Sequence, residues 1–163
     1  MRYSFCPVCG NKLVYKPIGD EGEIPFCQGC ERPWFDSFYT CVLSVVVNEN
    51  DEVLLIRQSY GDTAKYVGVA GFMKCGESAE DSAVREIKEE TGLECCELLN
   101  LGSIFYEARD QLMIGFMARV KKSELTLSSE VLSGEWFTAD EAIRKVRPGS
   151  IIQELIRRAK EKI

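Results

Sequence analysis

The chain has 163 residues, enough for one ordinary domain and a small satellite module but not for two full-sized cores. Hydrophobic residues at 45% and charged residues at 28% describe a folded globular protein and exclude a disordered or fibrous one. A net charge of −6 argues against gripping long nucleic acid by its phosphates. The absence of histidine removes Ser-His-Asp triads, Cys-His dyads and histidine-ligated catalytic zinc together.

Residues 1–35 are rich in Cys, Gly and Pro and poor in apolar periodicity, so this segment needs a staple to fold. Cys6-Pro7-Val8-Cys9 and Cys27-Gln28-Gly29-Cys30 form two Cys-x-x-Cys knuckles, separated by seventeen residues. That spacing predicts a four-cysteine zinc ribbon in which Cys6, Cys9, Cys27 and Cys30 close a structural, tetrahedral Zn2+ site. The competing readings are a redox pair, four unrelated buried thiols, or a nucleic-acid-reading ribbon, the last opposed by the lack of a basic cluster nearby. Cys41, Cys75, Cys95 and Cys96 read as ordinary small residues, with Cys75 in a loop near the proposed site. The paired cysteines, the lack of a signal-peptide pattern and the lack of a long apolar run together predict a cytoplasmic protein.

A second domain is expected over residues 36–163. Thr40 to Val47 is a β-branched run, Asn48 to Asp51 a turn and Val53 to Arg57 a second strand, which together predict a hairpin. Ser78 to Thr91 reads as a helix opened by Ser78 and Asp81, closed by Gly92, with Ala79, Ala83, Val84 and Ile87 as its apolar stripe. Strands are predicted at Leu98 to Glu107, Gln111 to Val120 and Glu135 to Phe137. Thr138 with Glu141 and Ser150 with Gln153 resemble capping boxes for two final helices.

Within the predicted helix, Glu86, Glu89 and Glu90 stand at i, i+3 and i+4, which places them on one face. Carboxylates packed so repel one another unless cations sit among them. Hard oxygen ligands in such a cluster suit Mg2+ or Mn2+ better than zinc. The bland alternative is a solvated acidic face paired to lysines. Against it stands the whole run, Gly71-Phe-Met-Lys-Cys-Gly-Glu77, seven residues, then Arg85-Glu-Ile-Lys-Glu-Glu-Thr-Gly-Leu93.

This run resembles the Nudix box at every fixed position, and the chain is similar in outline to the zinc-ribbon NADH pyrophosphatases. The similarity continues through Val69-Ala70-Gly71-Phe72, Gln111 to Ala118, Glu130 to Phe137 and Pro148 to Ile151. Where that family carries Ser-Gln-Pro-Trp, this chain has Ile104-Phe105-Tyr106-Glu107-Ala108-Arg109-Asp110, which leaves the exact dinucleotide open.

The resemblance implies a Nudix α/β/α sandwich around a mixed sheet, preceded by the ribbon. It implies Mg2+ (or Mn2+) held by Glu86, Glu89, Glu90 and Glu130 with Gly71 close by, and Arg85 and Glu77 as orienting residues. The implied activity is cleavage of a diphosphate linkage in a dinucleotide or nucleoside diphosphate conjugate such as NADH, ADP-ribose or FAD, releasing a nucleoside monophosphate. The general base is one of Glu89, Glu90 and Glu130. Phe35, Tyr66, Phe72, Phe105, Tyr106 and Phe116 are the candidate substrate contacts. Alternatives are hydrolysis of nucleoside triphosphates or capped RNA ends, and a non-catalytic nucleotide sensor. A small-molecule substrate, no membrane partner and a homodimer complete the expectation.

Overall fold

The computed structural model describes residues 3–163, which divide into two compact units, 3–39 and 40–163. The first unit is a three-stranded antiparallel sheet of β1 (Val14–Pro17), β2 (Glu23–Cys27) and β3 (Arg32–Pro33), in that order. Its core is small: Cys6, Leu13 and Cys27 are buried, with Tyr3, Cys30 and Trp34 packed around them. So little apolar burial cannot offset the chain entropy of a unit this size. Four knuckle sulfurs converge in the same unit. The Sγ atoms of Cys6, Cys9, Cys27 and Cys30 lie within 4.8 Å of one another, which suits a single metal ion.

The second unit is built on β4 (Tyr39–Val47), β5 (Glu52–Gln58), β6 (Val69–Phe72), β7 (Cys95–Tyr106), β8 (Gln111–Val120) and β9 (Val131–Thr138). The sheet runs β7-β8-β4-β5-β9, with β6 paired to β4. Strand β4 is central because its β-branched run is buried on both faces. Its odd positions, Leu43, Val45 and Val47, join a core completed by α2 (Ala139–Lys145) and α3 (Ile151–Lys160) through Ala142, Ile152, Leu155 and Ile156. Its even positions, Val42 and Val46, face the opposite layer, where Ala83 and Ile87 of α1 (Ala79–Thr91) pack. The period-two alternation of one strand thus dictates helix, sheet, helix, the α/β/α sandwich with a mixed sheet that was expected.

The hairpin and both final helices form as the sequence predicts. Thr138 and Glu141 make a full capping box, and the Ser150 side chain accepts from the Gln153 N–H. The Gln153 side chain departs from the box: it bridges the Gly149 N–H and the Ile143 carbonyl, at 2.9 Å each, and so ties α2 to α3. Strand β9 is longer than the predicted Glu135 to Phe137. Strand β6, whose four residues are too few to show a period, was not predicted. Among the described residues no helix is long and apolar enough to cross a membrane.

Candidate active site

Helix α1 begins at Ser78, whose hydroxyl accepts from the Asp81 N–H at 3.1 Å and donates to the Asp81 carboxylate at 2.7 Å. It ends where Gly92 adopts a φ of 75° and returns its N–H to the Lys88 carbonyl. Its buried side comprises Ser82, Ala83, Ile87, Glu90 and Thr91. Val84, expected on the apolar stripe, is exposed instead. Thr91 can take the inward position because its hydroxyl donates to the Ile87 carbonyl within the same helix. The same rotation grades the three glutamates. Glu90 is 4% exposed and the Glu86 side chain 13%, whereas that of Glu89 is 53% exposed at the cavity mouth.

Strand β6 passes across this helix, and Gly71 is where the two approach: a Cβ at Gly71 would overlap the Glu86 carboxyl group. Because the obstacle is the end of a flexible side chain, Gly71→Ala should leave stability within about 1 kcal/mol while displacing Glu86. We expect hydrolysis to fall about 100-fold, since an error of this size in a reacting group's position has that effect. Steady-state rates beside a thermal melt check this, and an active Gly71→Ala enzyme would show that Glu86 need not sit there.

Arg85 organises the acidic groups. Its Nε and Nη2 donate to the two Glu77 oxygens at 3.0 and 2.7 Å, while Nη1 reaches Glu86 at 2.5 Å and Glu89 at 3.1 Å. The Glu77 carboxyl is held down to about 2, chiefly by Arg85 and then by the Lys74 N–H. Removing the guanidinium leaves these carboxylates together without their cation. Arg85→Ala should therefore lose on the order of 2–3 kcal/mol in a denaturant titration. Arg85→Lys should recover only part of that loss, because an ammonium cannot fork onto Glu77. Equal stability of all three proteins would contradict the assigned network.

Glu90 has no such relief. Burial pushes its carboxyl up to about 8, the charges of Glu86 and Glu130 add to the rise, and a hydrogen bond from the Ala70 backbone opposes it. Its Oε2 atom is buried without any hydrogen-bond partner. An orphaned carboxylate oxygen beside two more carboxylates is the environment a hard divalent cation relieves, so Glu86, Glu89, Glu90 and Glu130, which line one cavity, fit Mg2+ or Mn2+ in donor type.

Glu130 arrives from a distant loop by backbone capping. The N–H groups of Thr126 and Ser128 bond the Thr91 and Glu90 carbonyls left open at the end of α1, at 2.9 and 3.3 Å. Ser59 then fixes the loop, its N–H on the Glu130 carbonyl and its hydroxyl on the Ser129 carbonyl, both at 2.8 Å. Together these elements line a cavity of about 720 Å³ containing Gly71, Arg85, Glu86, Glu89, Glu90 and Glu130.

The cavity also presents Gln58, Tyr60, Lys74, Arg109 and Gln111, none of which was singled out from sequence. Tyr60 lies in the field of the carboxylates: burial first, then Glu90 and Glu130, raise its hydroxyl pKa. A second cavity of about 360 Å³ adjoins the first, sharing Gln58, Ala70, Arg109, Gln111 and Met113, and is lined also by Arg147 and Ser150.

The candidate aromatics disperse. Phe72 lines the large cavity and Tyr106 the small one. Phe116 is a fully buried core residue, 1% exposed, and Tyr66 is buried with its hydroxyl between Arg57 and Glu135. These two are removed from the contact set, because packing consumes their rings. Phe105 is exposed on β7 and lines neither cavity, and Phe35 belongs to the cysteine unit. Cys75 is exposed and lines neither cavity, whereas buried Cys41 lines the large one.

Residues 38–157 match the family model described as the NUDIX domain. The chain belongs to the NUDIX family. It is 30% identical over 155 residues to the NAD-capped RNA hydrolase NudC of Vibrio vulnificus, covering 93% of this chain and 57% of that protein. The corresponding protein of Pseudomonas fluorescens is 31% identical over 137 residues, covering 83% of this chain and 48% of its own. This NUDIX chain thus spans about half the length of the curated relatives it matches. A NUDIX hydrolase structure from Nitrosomonas europaea superposes with a TM-score of 0.77 at 22% identity, covering 99% of this chain and 92% of that one. The NUDIX domain of Shewanella oneidensis NrtR, solved with ADP ribose, gives 0.67 at 18% identity, covering 78% and 90%. At these identities the two structures speak for the NUDIX fold alone.

Proposed function

We propose that this NUDIX chain hydrolyses the diphosphate linkage of a dinucleotide or nucleoside diphosphate conjugate, releasing a nucleoside monophosphate. The observation that carries the reading is the unpartnered, buried Glu90 oxygen at the floor of a cavity ringed by Glu86, Glu89 and Glu130. A domain that only binds nucleotides has no need to bury a carboxylate at such cost.

A divalent cation held by these four carboxylates would supply neutralisation of phosphate oxygens and acidification of an attacking water. The chain's own residues do the positioning. Arg85 locks Glu86 and Glu89 in place and Gly71 makes room for Glu86, while Lys74, 3.7 Å from Glu89, brings a positive charge to the cavity mouth. Glu89, Glu90 and Glu130 line the same cavity and are the groups available to accept the water's proton. The four clustered cysteines are proposed to hold one structural zinc ion.

The name of the curated relatives favours a nicotinamide dinucleotide linkage, and the net charge of −6 favours a small molecule over a long RNA. The test is a hydrolysis screen with Mg2+ across NADH, ADP-ribose, FAD, diadenosine polyphosphates, nucleoside triphosphates and NAD-capped RNA, with products separated by chromatography. Release of AMP from a dinucleotide is the expected result. Pyrophosphate from triphosphates alone, or no cleavage of any compound by folded protein, would overturn it.

A further inference from the structure

The two adjoining cavities are opposite in charge. The large one carries Glu86, Glu89, Glu90 and Glu130 in its wall, whereas the small one contains no acidic residue and is lined by Arg109 and Arg147. Arg109 belongs to both and so marks the seam. Arg147 lines only the small one, whose wall holds no carboxylate. Among the described residues no carboxylate lies within ion-pair distance of either guanidinium, although the chain carries 26 acidic residues against 20 basic ones. Arg85, Arg119, Arg157 and Arg158 all have such partners.

Arg147 is not a loosely placed surface charge at its backbone. Its carbonyl accepts from the Ser150 hydroxyl at 2.6 Å and from the Ser150 N–H at 3.2 Å, which fixes the turn leading into α3. Beside the two arginines the wall has apolar Leu43, Val67, Met113 and Ile152 with the amides of Gln58 and Gln111, and Tyr106 offers a ring. A volume of about 360 Å³ is near the lower limit for small-molecule sites, roughly 300–1,000 Å³, and holds one nucleoside half and not a whole dinucleotide. Tyr106 and Arg109 both come from the segment Ile104 to Asp110, where the chain departs from the zinc-ribbon pyrophosphatases it otherwise resembles.

The diphosphate to be cut belongs among the carboxylates, so a guanidinium that lines only the acid-free cavity is free for another group of the substrate. We infer that Arg147 and the slot beside it form a second anion subsite, which selects substrates whose distal nucleoside carries a further phosphate ester. This rests on the diphosphate-cleaving reading above and narrows it to phosphorylated dinucleotides and conjugates. An exposed arginine beside an apolar slot suits this task, because a charge-assisted bond to phosphate gains from the partial exclusion of water there.

The test compares pairs that differ by that one group: NADPH with NADH, coenzyme A with dephospho-coenzyme A, and NAD joined to a short oligonucleotide with free NAD. The expected result is that at least one phosphate-bearing member is favoured about tenfold or more in kcat/KM, a ratio that Arg147→Ala brings to near one. The preferred pair tells whether the recognised group is a monoester or the first phosphodiester of an oligonucleotide. Ratios near one in the unaltered protein, or ratios that survive Arg147→Ala, overturn the inference. Calorimetric titration of the intact, metal-free protein with adenosine 2′,5′- and 3′,5′-bisphosphate against AMP gives a reading independent of turnover. If nothing is cleaved but a bisphosphate binds about tenfold more tightly through Arg147, the activity fails and the subsite stands. Equal binding in both proteins sinks the subsite alone.

Discussion

Glu90→Gln should abolish most hydrolysis, by about three orders of magnitude or more, and yet make the metal-free protein more stable at pH 8. Both effects arise from one buried carboxyl. Its folded-state pKa is pushed up to about 8, whereas the unfolded chain titrates near 4.5. Below pH 4.5 both states hold the proton and nothing is lost. Between 4.5 and 8 the native state binds one proton more than the unfolded state, so stability declines as pH rises through that window. The decline amounts to a few kcal/mol on the order-of-magnitude scale.

Glutamine keeps the size of the side chain and removes the charge, so the decline should flatten in the variant. Thermal melts in chelator at pH 5 and pH 8 measure this directly. Added Mg2+ should raise the melting temperature of the unaltered protein at pH 8 by mass action, and should do so far less in Glu90→Gln. Normal turnover by the variant, or an identical pH dependence in the two proteins, would refute the placement of the charge.

The second large effect concerns the cysteine unit. Stripping the proposed zinc with a strong chelator, or replacing Cys27 by Ala, should unfold the first unit while Thr40–Ile163 keeps its own cores. Packed without an ion, the four sulfurs compete for protons. Burial opposes ionisation of Cys6, but hydrogen bonds from the Cys9 and Val8 backbone prevail and lower its thiol to about 6. Cys30 is pushed up to about 12, first by its hydrogen bond with Cys9 and then by burial. Four thiolate bonds to a bound ion would replace this competition, with a gain on the order of 10 kcal/mol, more than the small core cluster of the unit could provide. Hydrogen exchange should show loss of protection confined to the first unit, and elemental analysis should find one zinc per chain. Full protection in chelator, with no zinc in the purified protein, would be incompatible with the proposal.

Much of this was legible in the order of residues, for identifiable reasons. The knuckles, the capping residues Ser78 and Gly92 and the glutamate spacing are local features, and local stereochemistry is written in consecutive positions. The β-branched run of β4 announced a strand, whereas the burial of both its faces came from the layers packed on either side. Strand β6 was invisible for the opposite reason: four residues carry too little pattern, and their pairing partner β4 lies far back in the chain.

The gradation of the glutamates was decided by packing. Sequence places Glu86, Glu89 and Glu90 on one face, but only the sheet beneath α1 determines that Glu90 is sealed in while Glu89 meets solvent. The delivery of Glu130 depends on carbonyls at the end of α1 that a loop from elsewhere comes to cap. The aromatics show the same limit, since a phenyl ring suits a core and a binding slot equally until its neighbours are known. Phe116 and Tyr66 went to the core and Tyr106 to the second cavity. What residue order determines is chemistry that acts between near neighbours on the chain. What waits for the folded molecule is burial, and with it the charge state of Glu90 and the unpaired arginines of the cleft, because desolvation is set by atoms far apart in sequence.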